Sequence, residues 1–229
     1  MDLKEIYASR AQDYERLVAR EDFEGNILKA LQDIRALAEL DVVELGAGTG
    51  RLTCLLAPLV RSIRAFDASD HMLAVAREKL AAGNWRNWQA EVAVHAALPV
   101  ADATADLVIA GWSLVYSAIW AAGDWQTELG QTLAEIKRVL RPGGTIIVLE
   151  TMGTGSEIPQ PPADLRDYFG FLKQRGFQTR WIRTDYQFKD LAEAHQLAEF
   201  FFGAAMLPNI VVAGAPKLPE CTGIWWLTV

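Results

Sequence analysis

The run Val42-Val43-Glu44-Leu45-Gly46-Ala47-Gly48-Thr49-Gly50 decides how this chain is read. Its apolar opening has the character of a buried parallel strand. Gly46, Gly48 and Gly50 then form a turn that can bend tightly and approach a ligand with no side chain in the way. Their spacing is G-x-G-x-G, whereas a dinucleotide fingerprint needs G-x-G-x-x-G and would put its last glycine where Arg51 stands. That offset argues against a nicotinamide dinucleotide and an oxidoreductase. Glu44 adds a constraint, since a carboxylate at the mouth of an apolar strand must be satisfied by turn amides or by a cationic ligand.

Further along, Ser62-Ile63-Arg64-Ala65-Phe66-Asp67 reads as a second strand ending in an acid, with a helix start at Ala68-Ser69-Asp70. In an open α/β sheet such an acid can bind both hydroxyls of a ribose. Asp106-Leu107-Val108-Ile109-Ala110-Gly111-Trp112 predicts a strand entered through an acid, and Leu140-Arg141-Pro142-Gly143-Gly144-Thr145 a turn into another. In this order the motifs resemble those of the class I S-adenosylmethionine-dependent methyltransferases, in their small-molecule, methyltransferase type 11-like branch, over roughly residues 42 to 150. The resemblance implies a Rossmann-like, doubly wound α/β fold with a seven-stranded, mostly parallel sheet. It implies S-adenosyl-L-methionine as cofactor and methyl transfer by direct displacement. Gly46, Ala47, Gly48 and Gly50 would pass beneath the methionine portion, and Asp67 would take the ribose diol. Ala68 and Met72 would line the adenine, Met72 being equally readable as sheet packing. Members of the family often carry an acid four positions before a Leu-Pro pair; here Val94 stands there, which leaves adenine to backbone groups or to His95. Gly111 would belong to the donor site, and Asp106 is readable equally as serving the strand entrance or the chemistry and is left out of the site.

Composition narrows the function classes. The chain has 229 residues, 51% hydrophobic and 22% charged, enough to bury a substantial core as one domain. No apolar stretch is long enough to span a membrane, and Met1-Asp2-Leu3-Lys4-Glu5 is charged rather than signal-like, so a cytoplasmic protein is expected. The net charge of −7, from 29 acidic and 22 basic residues, offers little to neutralise phosphates, so no nucleic-acid partner is expected. Cys54 and Cys221 read as buried thiols, and His71, His95 and His195 have no ligand spacing, so no metal is expected. The oligomeric expectation is a monomer or homodimer.

The chain divides into a helical preface over residues 1–40, a cofactor-binding core over 41–150, a substrate-side cap with the sixth strand over 151–222, and a terminal strand over 223–229. Periodicity predicts helices over 3–20, 25–38, 50–58, 69–82, 125–140, 163–175 and 191–206. Strands are predicted over 41–45, 62–67, 88–94, 106–110, 145–150, 178–188 and 223–229. Tyr7 and Tyr14 are placed on one helical face, either covering the donor or packed on the sheet. The aromatic run after the fourth strand makes Trp112, Tyr116 and Trp120 candidate acceptor contacts, with Tyr168 added from the cap. The end of the fifth strand and the Gly/Pro-rich loop after it would form the opposite wall. His95, His195 and Tyr116 are candidate bases, with adenine stacking or solvent as the alternative for His95 and an exposed helix position for His195; Glu150 is a candidate substrate-orienting acid or else a satisfied strand-end acid. The acceptor is expected to be a small, partly apolar or aromatic molecule. A non-catalytic regulatory protein that binds S-adenosylmethionine remains the alternative.

Overall fold

A computed structural model of the chain describes residues 3–120 and 123–229; Met1 and Asp2 of the charged opening lie outside it. The preface forms α1 (Leu3–Ser9), α2 (Ala11–Val18) and α3 (Asn26–Ile34). The helix expected over 3–20 is broken at Arg10, whose backbone is non-helical, while the Ala11 amide donates to His71 Nε2 at 3.3 Å. The core follows as β1 (Asp41–Leu45), α4 (Arg51–Leu56), β2 (Ser62–Asp67), α5 (Asp70–Ala82), β3 (Trp88–Val92) and β4 (Ala105–Gly111). Then come α6 (Val115–Ile119), α7 (Trp125–Val139) and β5 (Leu140–Thr154). β5 begins earlier than expected because Leu140 already pairs with Ala105, and the Arg-Pro-Gly-Gly segment is an irregularity within the strand.

The second half holds α8 (Arg166–Gln174), β6 (Gln178–Arg183), β7 (Tyr186–Gln187), α9 (Leu191–Phe202), β8 (Lys217–Leu218) and β9 (Glu220–Thr228). The strand expected over 178–188 is two strands. Arg183 pairs with Asp185, whose Oδ1 accepts the Glu220 amide at 3.0 Å, and beyond this turn Tyr186 pairs with Leu218 in a separate ribbon. Gly203, at φ 85°, ends α9 before the expected Met206.

Seven strands form one sheet in the order β3-β2-β1-β4-β5-β9-β6, parallel except where β9 runs antiparallel between β5 and β6. Alternate residues of the central strands feed opposite cores. Val43, Leu45 and Val108 pack with α7 and α8, while Val42, Leu107 and Ile109 pack with α3 and α4. Trp225 and Trp226 follow the same rule from β9: Trp225 is buried and stacked on Phe169 at 4.6 Å, and Trp226 packs on the other side. A third cluster joins Leu17 of α2 to Phe188, Leu197 and Leu218, so the cap packs on the preface. Among the described residues no helix is long and apolar enough to cross a membrane.

Burial of acids on this framework has a pH consequence. Glu150, on β5, accepts the Val115 amide at 3.1 Å and the Tyr168 hydroxyl at 3.0 Å, and burial pushes its carboxyl up to about 8. Burial likewise lifts Glu44 and Glu220 to about 8. Unfolded glutamates lose their protons near about 4.3, so between there and 8 the unfolded state binds fewer protons and stability falls as pH rises. The urea midpoint is expected to drop between pH 6 and pH 8, and to drop less in Glu150→Gln. An equal drop in both proteins would show that Glu150 does not carry its share of the linkage.

Candidate active site

The order of strands reverses between β1 and β4, and ligands in open sheets sit beyond the carboxyl ends of strands at such a point. A cavity of about 820 Å³ lies there, within the range of small-molecule sites. The loop after β1 forms its floor. Gly46, Gly48 and Gly50 have φ of 66°, 54° and 79°, in the left-handed region that glycine enters without penalty. Gly46, Ala47, Gly48 and Thr49 line the cavity, whereas Gly50 does not. Gly50 instead starts α4 and packs so close to α5 that an added Cβ would lie 2.9 Å from that of Ala76.

Asp67 ends β2 on the lining, as the sequence suggests. Its Oδ2 accepts the Gly48 amide and its Oδ1 the Ser69 amide, both at 2.8 Å. Burial raises its pKa and these amides oppose the rise. The Ser69 hydroxyl caps α5 through Met72 N and also bonds the Tyr7 carbonyl at 3.0 Å, which brings α1 onto the Asp67 side of the cavity. Ala68 and Met72 line the same stretch, with Tyr14 above them; Val94 and His95 face it from the loop after β3. Burial lowers His95 to about 4, so its imidazole is neutral at pH 7. Glu44 reaches the lining too, but its partner is neither a turn amide nor a cation: Oε2 accepts the Thr53 hydroxyl of α4 at 2.6 Å.

Beyond Gly111 the chain enters the cavity wall. Trp112 adopts a left-handed backbone at φ 51° and donates its amide to Leu149 at 2.7 Å. Tyr116 stacks on Trp120 at 4.1 Å, Tyr7 approaches Tyr116 edge-on at 5.7 Å, and the two tyrosine hydroxyls are 2.7 Å apart. Tyr7 and Tyr14, though on separate helices, meet at 5.4 Å.

Two expected contacts lie elsewhere. Glu150 and Tyr168 are bonded to each other in the interior and are absent from the lining, as are the Gly/Pro-rich loop and the aromatic residues of the cap. The wall facing Trp112 and Trp120 comes instead from α1 and from Glu128, Gln131 and Thr132 of α7. The cap reaches this site at second hand, through Phe201 against Tyr14 at 5.7 Å and through Tyr186, whose hydroxyl bonds the Glu21 partner of Arg51. His195 is exposed on α9, Cys221 is buried and Cys54 half-buried. Among the described residues no cluster of three or more His, Cys, Asp or Glu side chains is placed to hold a metal ion.

Sequence reasoning overlooked Arg51, Ser113 and the α7 residues. Arg51 lies on the lining, bonded to Glu21 and stacked 3.5 Å over the Trp112 ring. Its place directly after the last glycine was the available signal. Ser113 donates to the Leu45 carbonyl at 2.9 Å and sits under Gly46. Gln131 and Thr132 had no signal, because polar residues on an amphipathic helix also describe a solvated face.

The comparisons fit this geometry. A methyltransferase domain family matches residues 43–148. The malonyl-[acyl-carrier protein] O-methyltransferase of Pectobacterium atrosepticum is 31% identical over 67% of this chain and 54% of its own length. The demethylmenaquinone methyltransferase of Lactococcus lactis is 30% identical over 65% of this chain and 58% of its own. The chain thus spans little more than half of these curated relatives. A SAM-dependent methyltransferase structure from Aquifex aeolicus shares the fold with a TM-score of 0.55 at 15% identity, covering 100% of this chain and 94% of that one.

The loop generates a contrast between two glycines. A Cβ at Gly46 would lie 2.2 Å from that of Ser113, whereas one at Gly48 would meet only the Met72 methyl at 3.5 Å. Gly48→Ala should cost about 1–2 kcal/mol for its backbone. Gly46→Ala should add an overpacking cost of about 1–3 kcal/mol to that. Urea unfolding of both variants measures the difference, and equal losses would contradict the position of Ser113 beneath the loop.

Proposed function

We propose, from the premise that residues 43–148 of this chain belong to the class I S-adenosylmethionine-dependent methyltransferases, that the protein transfers a methyl group to a small, partly aromatic acceptor. The observation that carries this reading is the Asp67 carboxylate, fixed by the Gly48 and Ser69 amides at the edge of a cavity that continues into an aromatic chamber.

The residues present fit S-adenosylmethionine. The space above Gly48 is open where a Cβ would intrude, and the Thr49 hydroxyl is buried without a partner among the described residues. Asp67 retains lone pairs for the ribose hydroxyls after accepting its amides. Glu44, Gly46 and Gly48 line the methionine end, and Ala68, Met72, Val94 and His95 the adenine end. Once bound, the cofactor supplies an electrophilic methyl group on a sulfonium. The chain's part is then alignment and exclusion of water. Trp112, Tyr116 and Trp120 form one wall of the acceptor chamber, and Tyr7 and Tyr14 roof it from the preface; the electron-rich ring faces also suit a positive sulfonium. The relatives named above differ in their printed acceptors, and the acceptor of this chain is read from its own aromatic wall. A small-molecule acceptor also accords with the acidic balance of the chain.

Calorimetric titration with S-adenosylmethionine, S-adenosylhomocysteine and NAD tests the reading: the two sulfur compounds should bind and NAD should not. Asp67→Ala should weaken S-adenosylhomocysteine binding about 10- to 150-fold, the loss of charge-assisted bonds to the ribose. Because Asp67 also tethers the Gly48 amide, affinity is compared at matched folded fraction. An unchanged dissociation constant would remove Asp67 from the ribose site.

A further inference from the structure

We propose that the paired phenols of Tyr7 and Tyr116 form an oxyanion-binding site for the methyl acceptor, and that this acceptor is an acidic phenol or enol that enters the cavity already ionised. The proposal rests on the methyl-transfer reading and specifies the acceptor for the same cavity.

The geometry comes first. The Tyr7 and Tyr116 hydroxyls are 2.7 Å apart, and either can be the donor. Two hydroxyls sharing one hydrogen bond carry two hydrogens, so whichever phenol donates to the other, the second keeps its hydrogen for a third partner. Neither hydroxyl has another hydrogen-bond partner among the described residues. Both residues belong to the cavity lining, and Trp120 stacks on Tyr116 beside them. A planar anion entering along that wall would meet ring faces and a phenolic O–H together. Lys4 is also on the lining, its ammonium 5.3 Å from the centre of the Trp120 ring, and adds a positive potential at the same end.

Burial keeps the phenols protonated; of the charged and titratable neighbours, Tyr14 and Glu150 add to this and Arg51 opposes it. Tyr14 of α2 and Arg51 of α4 act on Tyr7, and Glu150 of β5 acts on Tyr116. Burial is the largest influence on both, pushing Tyr116 up to about 12 and Tyr7 well above its usual value. Each is therefore a neutral donor at pH 7.

Among the described residues, no buried side chain of the lining is free to take a proton from an ordinary alcohol or amine; Glu128, the remaining acid of the lining, is exposed on α7. Burial leaves His95 neutral and holds it near 4, so its imidazole is a weak base. Glu44 is engaged by Thr53, and Asp67 by the loop amides. An acceptor that loses its proton to solvent before binding needs no such base. Its electron pair forms the bond to the methyl carbon, the carbon–sulfur bond breaks, and that pair returns to sulfur to leave a neutral thioether. No proton moves within the site, and the positive charge of the sulfonium is cancelled by the anion consumed.

The test uses protein saturated with S-adenosylhomocysteine and two probes, 4-nitrophenol and its neutral analogue 4-nitroanisole. The visible spectrum of 4-nitrophenol reports whether the bound molecule is ionised. We expect the bound probe to be the phenolate even at a pH where the free probe is mostly neutral, with 4-nitroanisole bound at least tenfold more weakly. Tyr7→Phe and Tyr116→Phe keep the rings, and each should weaken phenolate binding about tenfold or more while changing 4-nitroanisole binding less than twofold. A neutral spectrum for the bound probe, equal affinity for the two probes, no loss in either variant, or no saturable phenolate binding would each overturn the proposal. S-adenosylhomocysteine affinity is measured in the same preparations, so a failure of the donor reading registers separately.

Discussion

One half-buried charge, the guanidinium of Arg51, holds the three parts of this chain together. It leaves α4 directly after the glycine loop, bonds the Glu21 carboxylate of the preface and lies flat over Trp112 at the end of β4. Glu21 in turn accepts the Tyr186 hydroxyl of β7 at 3.0 Å, which adds the second half of the chain to the junction. The Glu21 side chain is only 3% exposed. Stripping either charge from such a pair leaves the other uncompensated, at a cost of about 3–5 kcal/mol. Preface, sheet and cap are thus oriented by an interaction that sits on the ligand cavity itself. The lining of the cavity and the packing of the cap share one electrostatic anchor.

A second buried acid performs the same service for the aromatic wall. α6 has five residues, too few to stand as an isolated helix, yet it carries Tyr116 and leads into Trp120. Glu150 accepts the amide of Val115 at its first turn and is itself gripped by Tyr168. A carboxyl on the rigid sheet therefore sets the position of a short helix that nothing else in its own sequence would hold.

The glycine-loop side of the cavity was legible because its signals are local. Glycine spacing, an acid at a strand end and a Pro-Gly-Gly turn are read within a few residues, and each sits where the sheet requires it. Trp225 and Trp226 were likewise legible from strand alternation alone. The aromatic side was not, because its walls come from distant segments. Gln131 looks like any solvated helix residue until α7 is placed beside the loop after β3. Glu150 looked like an acid at the mouth of a strand, and only the packing of α6 and α8 shows it turned inward. The break at Arg10 could not be read either, since His71, sixty residues on, captures the amide that follows it.

The preface helices α1 and α2 meet the sheet domain through side chains and through caps on α5, with no strand pairing to hold them: Ser69 on the Tyr7 carbonyl, His71 on the Ala11 amide, Lys79 on Glu15. Their detachment is therefore governed by those few contacts and by the apolar patch beneath them, and not by the cooperative unfolding of seven paired strands. In native-state hydrogen exchange the amides of α1 and α2 are expected to open at a lower free energy than those of β1 and β4. An opening of that kind would lift the roof of the cavity while its floor stays folded, and would give a bound molecule a way out that leaves the sheet intact.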